Sequence, residues 1–391
     1  VPRARTSIAV PLFAVAFGTN VATPLLLLYE SRLGLSTWTL TALFAIYPLG
    51  LTPALVFSGP ASDVLGRRRV MIPGVVLSGL ASVVLMAGAD AVWMLYLGRF
   101  LLGVVSGLVL VVASAWMQEV GGDDPLWTSR MLGLIMYVGF GLGPLVSGLV
   151  GQWGPAPLVV PYALHLVMVV AGLWCVRSAP ETVRRDPTRR IRPNLGVPAE
   201  ASRQFWTVVV PTAFGVFGMP SLALGLFPVL LKPAMPGIAV LVSGMIGFLA
   251  MGSIIPAQAW VGRVGPHRSA PVALACGTVG TLLGLTAFAT GWWPLLLPAS
   301  LAVGAASGLA MTSGLRFVDL ICRPEDRGAL NGSFYAVAYM GMMMPLVVSS
   351  IGRVVGSLTP VLAIVAMVTA ALTLWLRHAT TIVLAPAGRS V

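Results

Sequence analysis

The chain has 391 residues, of which 57% are hydrophobic and only 9% charged, with a mean hydropathy of +0.93. A soluble domain carries about 25% charged residues, so this composition excludes an ordinary water-soluble fold and makes lipid the solvent. The formal net charge of +12 does not mark a nucleic-acid binder, because the basic residues occupy short gaps between apolar stretches and are not interleaved with aromatics on a polar face.

A spanning helix needs roughly 20 apolar residues. The sequence predicts twelve, at 8–29, 38–58, 70–88, 92–117, 131–152, 157–176, 206–231, 236–258, 270–290, 293–318, 328–350 and 356–376. The first is too long for a secretory signal and has no small-residue cleavage site behind it, so it is read as a retained helix. One connection is long: 177–205, with Arg177, Arg184, Arg185, Arg189, Arg190, Arg192 and Arg203 among prolines and polar residues. It divides the chain into an N-terminal six-helix bundle, 1–176, and a C-terminal one, 206–391, that ends in a short tail.

The halves share patterns about 200 positions apart. Val10–Pro11 with Phe17–Gly18 returns as Val210–Pro211 with Phe217–Gly218, and Gly66 with Arg69 as Gly265 with Arg268. Gly103, Ser106, Gly107 and Leu108 return as Gly304, Ser307, Gly308 and Leu309, and Pro144 with Gly151 as Pro345 with Gly352. Duplicated halves let a site at the repeat interface open to either side of the membrane, so a transporter is expected.

Orientation follows from the basic residues. With both termini cytoplasmic, the inner side carries Arg3, Arg5, Arg67, Arg68, Arg69, Arg130, the seven arginines of the central connection, Arg263, Arg268, Arg316, Arg323, Arg327, Arg377 and Arg389, which is 20 of the 24 basic residues. The outer side keeps Arg32, Lys232 and Arg353, and Arg99 falls within a span. The expected location is a plasma membrane of bacterial type, with the central connection facing water and anionic lipid. Cys175, Cys276 and Cys322 are scattered, which gives neither a disulfide framework nor metal-ligand spacing.

Between the second and third spans the sequence reads Gly59-Pro60-Ala61-Ser62-Asp63-Val64-Leu65-Gly66-Arg67-Arg68-Arg69. Glycines permit a tight turn there, and a carboxylate can face a helix N-terminus or an arginine. The segment resembles the signature loop of the major facilitator superfamily, Gly-x-x-x-Asp-x-x-Gly-Arg-Arg/Lys. Leu97-Gly98-Arg99 followed by Gly103, Ser106 and Gly107 looks like that family's fourth-helix motif, and Gly139-Phe140-Gly141-Leu142-Gly143-Pro144-Leu145-Val146-Ser147-Gly148 like the fifth-helix motif of its antiporter branches, with Ser147 in place of one glycine. The resemblance covers essentially the whole chain and is to the twelve-helix drug:proton antiporter branch. It implies an all-α membrane protein with two pseudo-twofold six-helix bundles.

It also implies a latch in which Asp63, Gly66, Arg67 and Arg69 work with Glu119 and the start of the eleventh span near Arg327, forming when the cytoplasmic sides meet and favouring the outward-facing state. The second-half loop, Val261 to Arg268, has Gly262 where Asp63 would fall, so the latch is asymmetric. In the fifth-helix motif, Gly139, Gly143 and Gly148 allow close helix approach and Pro144 a kink.

Arg99 is the one charge firmly within a span. An intramembrane arginine costs roughly 2.5–3.5 kcal/mol on insertion scales, so it should face the interior, either binding an anionic group or bonding backbone carbonyls or Asn20. The 12 acidic residues lie at span ends or in loops. Glu30 is the candidate proton carrier if a shift in helix boundary submerges it, and otherwise an interfacial anchor beside Tyr29 and Arg32. His165 is read chiefly as a packing residue. Asn20, Tyr47, Tyr137, Asn331, Ser333, Tyr335 and Tyr339 are candidates to line a cavity, and Phe217, Met219 and Met342–Met344 would suit an adaptable apolar pocket.

No Walker A loop, filter segment or paired metal-binding carboxylates appear; Asp123–Asp124 lacks a second acidic motif. An enzyme, a direct ATPase and a channel are therefore not expected, and neither is a cofactor or a metal. The expected function is secondary-active efflux of a lipophilic small molecule by alternating access, with protons as a candidate co-substrate, in a monomer surrounded by lipid. The alternatives are uptake or exchange of a small metabolite, an anionic one giving Arg99 the substrate role, and a non-transporting sensor or scaffold.

Overall fold

The computed structural model describes residues 2–121, 124–185, 191, 193, 195–323 and 325–382. Asp123, Asp186, Arg189, Arg190, Arg192 and Arg389 lie outside the described residues. Among the described residues twelve helices are long and apolar enough to cross a membrane, and no strand occurs. They are α1 (Ala4–Leu33), α2 (Thr37–Leu65), α3 (Arg67–Ala87), α4 (Val92–Val120), α5 (Trp127–Trp153), α6 (Val160–Ser178), α7 (Ala199–Leu230), α8 (Ala239–Val264), α9 (Pro266–Thr290), α10 (Trp293–Ile321), α11 (Arg327–Val355) and α12 (Thr359–Thr381). The twelve expected spans are thus present, most of them extended into the polar flanks. The seventh starts at Ala199, inside the stretch expected as connector, because Ala199–Gln204 already form helical turns.

Helix ends follow local chemistry. A single residue, Gly66, separates α2 from α3 at φ +100°, and Gly265 separates α8 from α9 at φ +78°; both lie in the positive-φ region that side chains disfavour. Ser36 caps α2 by accepting from the Thr39 N–H at 3.1 Å, and Asp124 caps the start of α5 by accepting from the Trp127 N–H at 2.9 Å.

Prolines inside spans leave carbonyls without their usual i+4 donor. At two of them a neighbouring helix supplies a donor. Pro144 releases the Phe140 carbonyl, which accepts from Asn20 Nδ2 at 3.2 Å. Pro211 releases the Thr207 carbonyl, which accepts from Trp375 Nε1 at 2.9 Å. Pro345 denies the Gly341 carbonyl its i+4 donor, and here the Met344 N–H of the local 3-10 turn serves instead. Two spans are discontinuous at such points: α7 contains a π-helical turn, Phe205–Val209, and α11 is broken by a 3-10 turn, Gly341–Met343.

The chain forms two compact units, Val1–Asn194 with Pro228–Gly252, and Leu195–Phe227 with Ser253–Val391. In the first, α1 packs against α4, α5 and α6, and α4 against α2 and α3. Its core includes fully buried Ile8, Leu12, Met71, Val75, Val112 and Trp116. In the second, α9 packs against α10 and α12, and α7 against α10 and α11. Equivalent small residues serve each unit: a methyl on Gly107 would meet the Leu51 carbonyl of α2 at 2.5 Å, and one on Gly308 the Ile254 carbonyl of α8 at 2.6 Å.

Candidate functional site

At the α2–α3 turn the loop motif folds into a charge cluster centred on Arg67. This side chain is only 7% exposed and reaches Asp63 Oδ1 with Nη1 and Glu119 Oε1 with Nη2, both at 2.6 Å. Its Nε adds bonds to Glu119 at 3.2 and 3.3 Å, and Nη1 donates to Ser62 Oγ. The planar guanidinium fork suits two carboxylates on different helices. Arg69, to which the resemblance gave the role beside Asp63 and Glu119, is exposed and makes no ion pair among the described residues; Arg67 makes those contacts. Arg327 pairs with Asp319 at 2.6 Å.

Two residues missed by sequence reasoning complete the cluster. Glu181, just past α6, accepts from the Arg67 N–H at 2.9 Å and the Arg68 N–H at 3.0 Å, capping the start of α3. Thr182 Oγ1 donates to Glu119, and the Pro180 carbonyl accepts from Trp116 Nε1 at 2.9 Å. A glutamate just beyond an apolar span was the available signal, but its partner lies 114 residues away in sequence.

Arg99 on α4 is 2% exposed. Its Nε donates to the Leu43 carbonyl at 3.2 Å, and its guanidinium carbon sits 5.4 Å from the ring centroids of both Phe44 and Tyr47. The rings contribute cation–π attraction that offsets part of the burial cost. Nη1 is buried with no hydrogen-bond partner among the described residues. Of the two expected structural partners the backbone is the one used, since Asn20 is engaged with Phe140. Tyr47 is buried at 5% exposure beneath the arginine. His165 is fully buried between Ser78 Oγ at 3.3 Å and Ser82 Oγ at 2.7 Å, and its ring fills the space a side chain on Gly18 would need.

The fifth-helix motif serves two contacts. On one side a methyl on Gly139 would lie 2.7 Å from Ala16 Cβ, and one on Gly143 would overlap the Phe17 carbonyl, both on α1. On the other a methyl on Gly148 would lie 2.9 Å from Gly244 Cα, and one on Gly244 would lie 2.5 Å from the Pro144 carbonyl. Ser147, which replaces a motif glycine, turns its hydroxyl onto the Pro144 carbonyl at 3.2 Å and so keeps the surface narrow. Tyr137 on the same helix is half-buried.

At the opposite end of the first unit from the Arg67 cluster, Glu30 pairs with Lys232, the one lysine of the chain, at 2.6 Å. Lys232 Nζ also donates to Ser31 Oγ at 2.6 Å and the Leu27 carbonyl at 3.1 Å, using all three donors. The anchors expected beside Glu30 are otherwise occupied: Tyr29 donates to the Leu85 carbonyl at 2.7 Å, and Arg32 pairs with Asp90 at 2.6 Å. The second unit brings Phe217, Asn331, Tyr335 and Tyr339 together on α7 and α11. Phe217 stacks on Tyr339 at 4.8 Å, and Ser333 bonds Gly196.

Twelve helices of membrane-spanning length, with a charge cluster at the α2–α3 turn and a buried arginine on α4, define a polytopic membrane protein. The model of the Major Facilitator Superfamily matches residues 8–283, and the chain belongs to that family of transporters, which are not enzymes. It is 25% identical over 311 residues to the class B tetracycline resistance protein of Escherichia coli, covering 75% of this chain and 73% of that one. It is 27% identical over 335 residues to the class C tetracycline resistance protein of Escherichia coli, covering 80% and 78%. In fold it resembles a POT family transporter in complex with 5-aminolevulinic acid, with a TM-score of 0.75 at 11% identity over 97% of this chain and 96% of that one. The nucleoside transporter NupG gives a TM-score of 0.70 at 12% identity over 97% and 98%.

Proposed function

We propose that this integral membrane protein exports a lipophilic small molecule by alternating access, in exchange for protons, with both termini in the cytoplasm and two pseudo-twofold six-helix bundles. The fifth-helix contact carries the reading: the antiporter-type Gly143–Pro144–Gly148 segment is held against α1 on one side and Gly244 on the other. The tetracycline resistance proteins named above support a drug-like substrate. In this reading the Asp63–Arg67–Glu119 cluster is the cytoplasmic latch. Glu30, with Lys232, is the group through which a proton would act at the outer edge.

The test has two arms. Cells with and without the chain are compared for susceptibility to a panel that includes tetracyclines, and everted vesicles for drug uptake under an imposed pH gradient. Resistance with gradient-dependent uptake is the expected result; unchanged susceptibility together with no gradient-driven flux would reject export. A second reading, uptake of an anionic metabolite, is favoured by the unpartnered Nη1 of Arg99. It predicts substrate-induced protection of Arg99 and no change in drug susceptibility.

A further inference from the structure

The second unit holds an arrangement that its packing alone does not require. Asn331, Tyr335 and Tyr339 occur at four-residue intervals on α11, so they share one helix face. Tyr339 stacks on Phe217 of α7 with ring centroids 4.8 Å apart and an interplanar angle of 17°, and on Tyr335 at 6.5 Å and 25°. The three rings form a near-parallel ladder drawn from two helices. Such ladders inside a core are sealed by neighbours, whereas Phe217, Tyr335 and Tyr339 are each only half-buried within spans of otherwise lipid-compatible residues. Tyr335 has its edge set by Phe334, which is fully buried and meets it at 5.5 Å and 66°.

The backbone holds this ladder in place. A methyl on Gly341 would lie 2.9 Å from the Gly218 nitrogen, so α7 and α11 touch backbone to backbone directly beyond Phe217 and Tyr339. The 3-10 break Gly341–Met343 ends the helical segment that carries the ladder, and 3-10 turns within long helices often mark functional positions. One turn before Tyr335, Asn331 Oδ1 is buried with no hydrogen-bond partner among the described residues. A buried acceptor left unmade costs about 1–3 kcal/mol, which a ligand donor would remove.

From these features we infer that the α7–α11 ladder is a stacking wall for one flat face of a planar, conjugated ligand whose N–H or O–H donates to Asn331 Oδ1. The inference rests on the reading of the chain as a carrier of small molecules and specifies the chemistry of its cargo. Aromatic faces stack offset and parallel with a gain beyond area burial, so flatness is selected at Tyr335, the end ring of the ladder nearest Asn331, which Tyr339 backs, and a donor at Asn331. A saturated ligand of equal volume gains only the burial.

The probes are carbazole, its donor-free analogue 9-methylcarbazole, and the non-planar dodecahydrocarbazole, with the full chain in lipid nanodiscs and saturable fluorescence quenching as readout. Carbazole should bind saturably and resist competition by dodecahydrocarbazole. Tyr335→Leu and Tyr339→Leu should each weaken it about tenfold, the latter standing in should the former not fold. Asn331→Leu should weaken carbazole about fivefold and leave 9-methylcarbazole as it was. Trp174→Leu, at an exposed lipid-facing position, is the control for partition into lipid. Absence of saturable binding, binding insensitive to both leucine variants at an unchanged unfolding midpoint, or equal loss of both carbazoles in Asn331→Leu would overturn the inference. Loss of drug flux in the wild-type protein with carbazole binding intact would instead remove the export reading and leave the wall standing.

Discussion

Replacing Arg67 with Met keeps most of the side-chain volume and removes the charge that two carboxylates share. Arg67 is 7% exposed at its side chain, and its partners Asp63 and Glu119 are 44% and 32% exposed. Breaking a fully buried ion pair costs about 3–5 kcal/mol, because the remaining charge is left uncompensated. Here water reaches both carboxylates in part, which screens them and lowers that figure. The same change removes the donor to the buried Ser62 hydroxyl and frees Glu119 from three of its bonds. A net loss of about 2 kcal/mol is therefore expected for Arg67→Met, against less than about 0.5 kcal/mol for Arg69→Met at its exposed site. Arg67→Lys should recover only part of the loss, since an ammonium cannot form the fork. The assay is reversible unfolding of the purified protein in detergent, each variant beside wild type, with drug flux measured in parallel. Equal destabilisation by the Arg67 and Arg69 variants, or a neutral Arg67→Met, would refute the assignment of Arg67 as the centre of the cluster.

Asp63→Asn should lower transport and raise the accessibility of engineered cysteines on the cytoplasmic side with little loss of folded protein; unchanged accessibility with full transport would count against the latch. Because Lys232 is the sole lysine, an amine-directed reagent reports on it almost alone, and Glu30→Gln, which removes its charged partner, should speed labelling severalfold and blunt the response of flux to an imposed pH gradient. Flux should vanish in Arg99→Ala and survive in part in Arg99→Lys, measured in proteoliposomes, since the buried positive charge is retained only in the latter. Gly148→Val would push against Gly244 at a contact with no room for a side chain and should cut flux about tenfold while leaving expression intact, which a transport assay normalised to folded protein would check.

The family motifs were legible because each packs its information into one loop or one helix face: Gly66 at φ +100° is where a glycine turn was expected, and Gly139, Gly143 and Gly148 all lie at close backbone approaches. The partners of the polar groups were less legible. Pro144 locally implies a freed carbonyl at Phe140, but nothing local says that Asn20 on another helix takes it, or that the Leu43 carbonyl accepts from Arg99. Glu181 escaped notice because a carboxylate just past a helix looks the same whether it is solvated or capping another helix.

Hydropathy, proline and glycine positions and the placement of arginines are properties of a window of about 20 residues, so the twelve spans, their tight turns and the family were determined by the sequence alone. Partner choice depends on the rotation of one helix against another and on side-chain direction, and no window contains it. That is why only the tertiary structure decided that Arg67 holds the carboxylates in place of Arg69 and that Glu30 meets a lysine 202 residues away. For the same reason only it could bring the rings of α7 and α11 into a single stack.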